Sequence, residues 1–205
     1  MDWMITLIPE ILKSSSFTKY RATSHSQIAG TIIPSPLIKP MTKHLYFICP
    51  TDFLETAINN AFKGENYFVT SLGNSISLDT DEVEEIHALI ETKQIRCITF
   101  VLSDDNQIVL DAVNNQNFCD LRGMSSLYDD IEREKTSVKS LWQESSLVVP
   151  ILSHHLNAKR KELKAKLSHW LIDDIAMNTK IYRRQSGVFN EFHTDLCRLD
   201  FACSN

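Results

Sequence analysis

Apolar residues follow a regular pattern along the chain from residue 44 onward. Three short and largely apolar runs are typical of strands buried on both faces of a parallel sheet: residues 45–49, 67–71 and 95–102. Each run ends at polar or turn-forming residues, where a strand of such a sheet would reach its edge. A last, shorter strand candidate covers residues 187–189.

Stretches with helical spacing separate these runs. Residues 54–62 carry apolar residues three and four positions apart, which predicts a helix. Thr51 or Asp52 would cap its start, and Gly64 would end it. A second helix is predicted from a Thr80 cap through Ile90, with acidic residues in its first turn. Because strands alternate with helices, we predict an α/β fold with a mainly parallel central sheet flanked by helices.

The second half of the chain has a less regular pattern. The apolar run at residues 108–110 follows the third strand, and residues 127–141 fit a helix. Residues 147–152 fit a strand or a strand-to-helix junction, and an apolar stripe over residues 156–175 predicts a long helix.

The first forty residues differ from the rest in composition. They contain serine-rich stretches and three prolines near their end, which disfavour regular helices and strands. We therefore predict an N-terminal arm over residues 1–40 and a single α/β domain over residues 41–205. The arm either wraps a partner subunit or is a translational artefact, since Met41 stands directly before the first strand.

Composition limits the classes of partner and compartment. The 205 residues are 43% hydrophobic and 23% charged, which is ordinary for a globular protein, and the formal net charge of −5 argues against a nucleic-acid surface. No apolar run is long enough to span a bilayer, and residues 3–12 lack the basic start of a signal peptide. The five cysteines form no paired framework. We expect a cytoplasmic protein with reduced thiols and no membrane partner.

Candidate chemistry lies where the predicted strands end, because ligands of parallel sheets gather at the carboxyl ends of strands. These segments are residues 49–52, 71–75 and 103–106. Cys49, between a strand and a helix start, is the one candidate for a nucleophile or metal ligand, although a lone cysteine there is more often a small core residue.

The remaining polar candidates favour structural roles. His87, His154, His155 and His169 match no metal-ligand spacing, and His193 with Cys197 forms one isolated pair. We expect His154 and His155 near a helix start, one packed and one solvated. The adjacent Asp104 and Asp105 favour a turn over a cation site.

The order of these pieces resembles the β-class carbonic anhydrases. In that family a strand ends in a cysteine, a second strand leads into a Gly-Asn turn, and a third ends in His-x-x-Cys. The corresponding segments here are FICPTDFLE, GENYFVTSLGNSI and IRCITFVLSDDNQ, and the separation of Cys49 from Ser103, 54 residues (103 − 49), fits the family.

The resemblance does not extend to the family's zinc ligands. Ser103 stands where the family has its histidine and Asn106 where it has its second cysteine, so Cys49 alone remains. The Asp and Arg of the family's Cys-x-Asp-x-Arg motif would fall on Thr51 and Phe53. Hydroxyl and amide groups are weak zinc ligands beside imidazole and thiolate. We therefore expect no metal and no other cofactor.

The resemblance implies a catalytically degenerate, zinc-free protein that binds a small anion or metabolite or acts as a regulatory subunit, and it also implies a homodimer. Two alternatives remain open, an enzyme with Cys49 as nucleophile and an unrelated flavodoxin-like binding domain. The predicted ligand pocket is a neutral polar set at the strand ends: Cys49, Thr51, Ser71, Gly73, Asn74, Ser103 and Asn106.

Overall fold

A computed structural model describes residues 42–120, 124–139, 148–170 and 175–191 of the chain, with the side chains of residues 124–139 described through residue 136. The predicted arm at residues 1–40, the His193 and Cys197 pair, Leu141, Leu147 and Leu171 lie outside the described residues.

Within the described residues, the sheet has five strands in the order β2-β1-β3-β4-β5. Strands β1, β2, β3 and β4 pair in parallel, and β5 pairs with β4 in the antiparallel sense. This confirms the α/β class with a mainly parallel sheet. The strands are β1 (Lys43–Ile48), β2 (Glu65–Thr70), β3 (Cys97–Ser103), β4 (Ala176–Arg183) and β5 (Val188–Glu191).

The antiparallel hairpin of β4 and β5 separates this sheet from the flavodoxin-like alternative. The strand order is the 2-1-3-4-5 order of a flavodoxin-like sheet, but a flavodoxin-like sheet is doubly wound, with helical crossovers between parallel strands. Here a short turn through Gly187, in the left-handed region at φ 68°, joins the last two strands directly.

In the part of the chain that the structure describes, five α-helices connect and cover the strands. Most of them pack on one face of the sheet, where residues of four helices share a core with Leu45, Phe47 and Phe100. The other face buries a smaller cluster around Tyr46, with Ile58 as its helical member. The helices are α1 (Glu55–Ala61), α2 (Thr80–Lys93), α3 (Gln107–Asn114), α4 (Ser125–Lys139) and α5 (Val148–Leu167).

Several predicted elements are wrong in their type or bounds. Residues 148–152 form the first turns of α5, so the strand interpretation of this run is wrong; Pro150 is compatible with the first turn of a helix. Residues 108–110, for which no element type was predicted, belong to α3. The long helix predicted to Ile175 ends at Leu167. Strand β4 follows it and had no counterpart in the prediction.

Two predicted helix caps are also wrong. Asp79, not Thr80, caps α2 by accepting a hydrogen bond from the Glu82 amide at 3.3 Å. Leu54 is the residue before α1 and makes no side-chain cap, so neither Thr51 nor Asp52 caps this helix.

Among the residues that the structure describes, no helix has the length and apolar character needed to cross a membrane.

The Gly-Asn turn after β2 packs tightly against the helical layer. Gly73 has φ 59°, in the left-handed region, and a Cβ atom there would lie 2.8 Å from Leu127 Cδ2 and 3.2 Å from Ile108 Cγ2. Glycine is therefore required both by the backbone conformation and by the side chains of α3 and α4.

We expect Gly73→Ala to destabilise the fold by about 2 to 4 kcal/mol, from left-handed strain together with overpacking. Gly187→Ala is the matched control, since Gly187 has φ 68° but its Cβ would meet only Tyr182 Oη at 3.9 Å. The control should lose about 1 kcal/mol. Urea unfolding followed by circular dichroism measures both values, and equal losses would contradict the packing argument.

Candidate functional site

The carboxyl ends of three parallel strands meet at one edge of the sheet. Ile48 of β1 is paired with Thr70 of β2 on one side and with Val101 of β3 on the other. Cys49 and Ser71 directly follow their strands, and Ser103 ends β3. The three segments chosen from sequence therefore lie side by side.

Cys49 is fully buried at the centre of this edge. Its sulfur accepts a hydrogen bond from the Gly73 backbone amide at 3.2 Å and lies 3.0 Å from Thr51 Oγ1. Neither partner is a general base, and a cysteine nucleophile commonly depends on one. The surroundings of Cys49 therefore do not favour the alternative in which it acts as a nucleophile.

Asp52 provides the main hydrogen-bonded tie between the strand ends. It lies in a short 3-10 turn over Pro50–Asp52, and its carboxylate is buried. Oδ2 accepts from the Ser103 backbone amide and Oδ1 accepts from Asn106 Nδ2, each at 2.8 Å. Asn106 Oδ1 in turn accepts from the Val109 amide at 2.9 Å and caps α3. One carboxylate therefore joins the end of β1, the end of β3 and the start of α3.

Arg184, from the turn between β4 and β5, reaches the same edge. Its Nη2 donates to the Asp52 carbonyl oxygen at 3.2 Å and to Ser103 Oγ at 3.4 Å, and its Nε lies 2.7 Å from Asp105 Oδ2. The pair formed with Asp105 is half exposed. The guanidinium is thus already engaged with three groups of its own chain, the Asp52 carbonyl, the Ser103 hydroxyl and the Asp105 carboxylate, and closes one side of the site.

The two carboxyl groups at this edge have pKa values shifted in opposite directions. Burial raises the pKa of Asp52, and the hydrogen bonds from Ser103 and Asn106 only partly oppose it. Burial would also raise the pKa of Asp105, but hydrogen bonds from Ser103 and Arg184 lower it overall. The buried carboxyl is thus harder to ionise than the exposed one.

The Gly-Asn turn connects the strand edge with helix α5. His155 Nε2 lies 2.9 Å from the Gly73 carbonyl oxygen, and burial lowers the pKa of this imidazole to about 4. The ring is therefore neutral at pH 7, and Nε2 carries the proton, because a carbonyl oxygen can only accept. As predicted, His155 is packed while its neighbour His154 is exposed.

Two buried polar atoms beside this turn have no hydrogen-bond partner among the described residues: Ser71 Oγ and Asn74 Oδ1. Asn74 uses its Nδ2 to donate to the Val101 carbonyl oxygen at 3.0 Å. Unpaired buried polar groups are uncommon in folded proteins and call for an explanation. These two atoms lie within the set predicted to line a pocket.

The structure places six of the seven predicted pocket residues in the interior and leaves Thr51 exposed. Direct contacts join Cys49, Thr51 and Gly73, while Asp52 joins Ser103 and Asn106. That these residues line a ligand pocket stays a prediction.

The predicted pocket did not include Asp52, although it lies in the candidate segment 49–52, and sequence reasoning missed Arg184 altogether. The resemblance placed the family's Asp and Arg at Thr51 and Phe53. In the structure the carboxylate at this edge belongs to Asp52, and the guanidinium belongs to Arg184 of the β4–β5 turn. Phe53 itself is 79% exposed and has φ 54°. The polar residues after the first strand were a visible signal, but they were interpreted as a helix cap.

The donor set does not fit a zinc ion. Cys49 is the one thiol here, and Ser103 and Asn106 contribute a hydroxyl and an amide that are already hydrogen-bonded within the chain. Across the described ranges, which end at residue 191, no group of three histidine, cysteine, aspartate or glutamate side chains is arranged to hold a metal ion.

Comparison with solved structures supports a β-carbonic-anhydrase-like fold. The β-carbonic anhydrase CafD of Aspergillus fumigatus matches with a TM-score of 0.62 at 14% identity, over 77% of this chain and 92% of that one. CafA of the same fungus has a TM-score of 0.60 at 17% identity, covering 78% and 80%. The Coccomyxa β-carbonic anhydrase has a TM-score of 0.59 at 14% identity, covering 74% and 72%.

Sequence comparison adds nothing to this likeness. No family model matches the chain, and no curated protein is significantly similar to it. At these identities the solved structures share the fold alone.

We expect Asp52→Ala to destabilise the protein by about 1 to 3 kcal/mol, because the Ser103 amide and the Asn106 side chain lose a buried acceptor. Asp129→Ala, on the exposed side of α4, is the matched control and should change stability by less than about 0.5 kcal/mol. Chemical denaturation gives both numbers. If the two variants unfold at the same denaturant concentration, Asp52 does not hold the strand ends together.

Proposed function

We propose that this protein keeps the fold of β-carbonic anhydrases without their zinc chemistry and serves as a small-anion or metabolite-binding or regulatory subunit. The observation that carries the proposal is the engagement of Ser103 and Asn106 with Asp52. These two residues occupy the positions at which the resemblance requires an imidazole and a thiolate. Here they take part in a hydrogen-bonded network that does not need a metal ion.

The binding role is supported by the two unpaired polar atoms beside the Gly-Asn turn. Ser71 Oγ can donate one hydrogen bond and accept others, and Asn74 Oδ1 can accept. A small oxyanion that still carries a proton matches this pair, because it offers an acceptor to the serine and a donor to the amide oxygen. Bicarbonate is the simplest such molecule.

The homodimer belongs to the same proposal. It is implied by the resemblance. The β-carbonic anhydrases of Sordaria macrospora are described as tetrameric. They match this chain with a TM-score of 0.55 at 13% identity, over 74% of this chain and 81% of theirs.

We expect the purified protein to carry far less than one zinc per chain and to leave carbon dioxide hydration at the background rate, because three suitable ligands are not assembled. Ser103→His with Asn106→Cys should raise zinc uptake toward about one per chain, since imidazole and thiolate then join Cys49. Elemental analysis after dialysis measures both.

The control for this double variant is Ser103→His with Asn106→Ala, which loses the same α3 cap but gains no thiolate. It should bind zinc more weakly than the variant with cysteine. Stoichiometric zinc in the parent protein would contradict the proposal, and equal zinc in the two variants would show that the strand ends do not form the expected ligand set.

Bicarbonate provides the test of the binding role. We expect Ser71→Ala to weaken bicarbonate binding by about ten-fold, because an anion loses one hydrogen-bond donor. Ser126→Ala, at an exposed position of α4, should leave it unchanged. Amide shifts of Ser71, Gly73 and Asn74 in an NMR titration report the binding. Shifts that do not saturate, or that saturate equally in both variants, would argue against an anion at this turn.

A further inference from the structure

A concave site lies away from the strand edge, between helices α4 and α5. It is a cleft of about 280 Å³, lined by charged and imidazole side chains of both helices. That volume is at the small end for ligand sites, so the cleft suits a molecule of a few heavy atoms. None of the pocket residues predicted from sequence lies in it.

Glu134 is the unusual residue of the cleft. Its side chain is buried, with the residue only 7% exposed. Oε1 lies 3.2 Å from His154 Nδ1, but Oε2 has no hydrogen-bond partner among the described residues. A buried carboxylate oxygen without a donor is destabilising, because an ionised carboxylate can only accept hydrogen bonds and its burial without donors costs free energy.

The two cations that line the cleft already have carboxylate partners. Arg133 Nη2 lies 3.0 Å from Asp130 Oδ1, and Lys159 Nζ lies 3.3 Å from Glu162 Oε2. Lys159 also donates to the Ile76 carbonyl oxygen at 3.4 Å. An anionic ligand would have to compete with these carboxylates, whereas a cationic donor would meet the oxygen of Glu134 that has no partner.

We infer that this cleft binds a small primary ammonium ion, with an N–H group donating to Glu134 Oε2. The ammonium supplies both the hydrogen bond and the positive charge that this buried carboxylate lacks. Because Asp130 and Glu162 are paired with Arg133 and Lys159, Glu134 is the carboxylate of the cleft that has no Lys or Arg partner among the ion pairs of the described residues. The inference does not depend on the function proposed for the strand edge, which involves other residues and an anion.

The site should respond to pH near neutrality. Burial raises the pKa of Glu134 to about 7; the neighbouring His154 and Arg133 act to lower it and Asp130 to raise it. His155, also at the cleft, stays neutral because burial lowers its pKa to about 4. The positive charge of Lys159 and the negative charge of Glu162 offset each other in their ion pair. A proton on Glu134 competes with the ammonium ion. Affinity should therefore fall as the pH drops below about 7.

The test is a titration of the full chain with propylammonium chloride, followed by the amide shifts of residues 130–136 and 153–159. Tetramethylammonium chloride has the same charge but no N–H group. We expect saturable binding of propylammonium, at least about ten-fold weaker binding of tetramethylammonium, and weaker propylammonium binding at about pH 6 than at about pH 8.

Glu134→Gln should reduce propylammonium affinity by at least about ten-fold. Glu132→Gln removes the same charge from the exposed side of α4, where Glu132 pairs with Lys135, and should leave the affinity unchanged. Equal binding of the two ions by the parent protein, no binding of either, or equal affinity in the two glutamine variants would overturn the proposal. The comparison of the two ions needs no variant, so it decides the matter even if Glu134→Gln does not fold.

Discussion

The buried carboxylate of Asp52 is the contact on which the strand edge depends. The 3-10 turn after β1 directs this side chain inward, and the Asp52 amide donates to the Cys49 carbonyl oxygen at 3.1 Å, which fixes the turn itself. The carboxylate then accepts from the last residue of β3 and from the cap of α3. The ends of two neighbouring strands are therefore tied together by the chain's own side chains.

The sequence predicted the central strands because they are buried on both faces, which leaves a continuous apolar run in each. It did not predict β4, in which buried Thr179 and Ile181 alternate with partly exposed residues. Ile175 sits at helical spacing after Leu167, so the stripe of α5 appeared to continue into the strand. Conversely, the apolar run at the start of α5 resembles a strand, and the tolerance of a first helical turn for Pro150 was not recognised.

Prediction of the site succeeded where a residue's position follows from its own strand and failed where it follows from a distant contact. Cys49, Ser71 and Ser103 were placed by the ends of their strands. Asp52 meets Ser103 and Asn106 across 51 and 54 residues, and Arg184 meets Asp52 across 132. No local pattern reports such pairs. They become visible only when the strand order and the β4–β5 hairpin are known.

The Gly-Asn turn makes the strand edge and the helical layer depend on one another. The amide of Gly73 donates to Cys49 on the sheet side, and its carbonyl oxygen accepts from His155 on the helix side. His154, the preceding residue of α5, contacts Glu134 of α4. A shift of α5 along its axis would break the bond to Gly73 and the contact with Glu134 together. The geometry around Cys49 therefore depends on the packing of α4 and α5 as well as on the sheet.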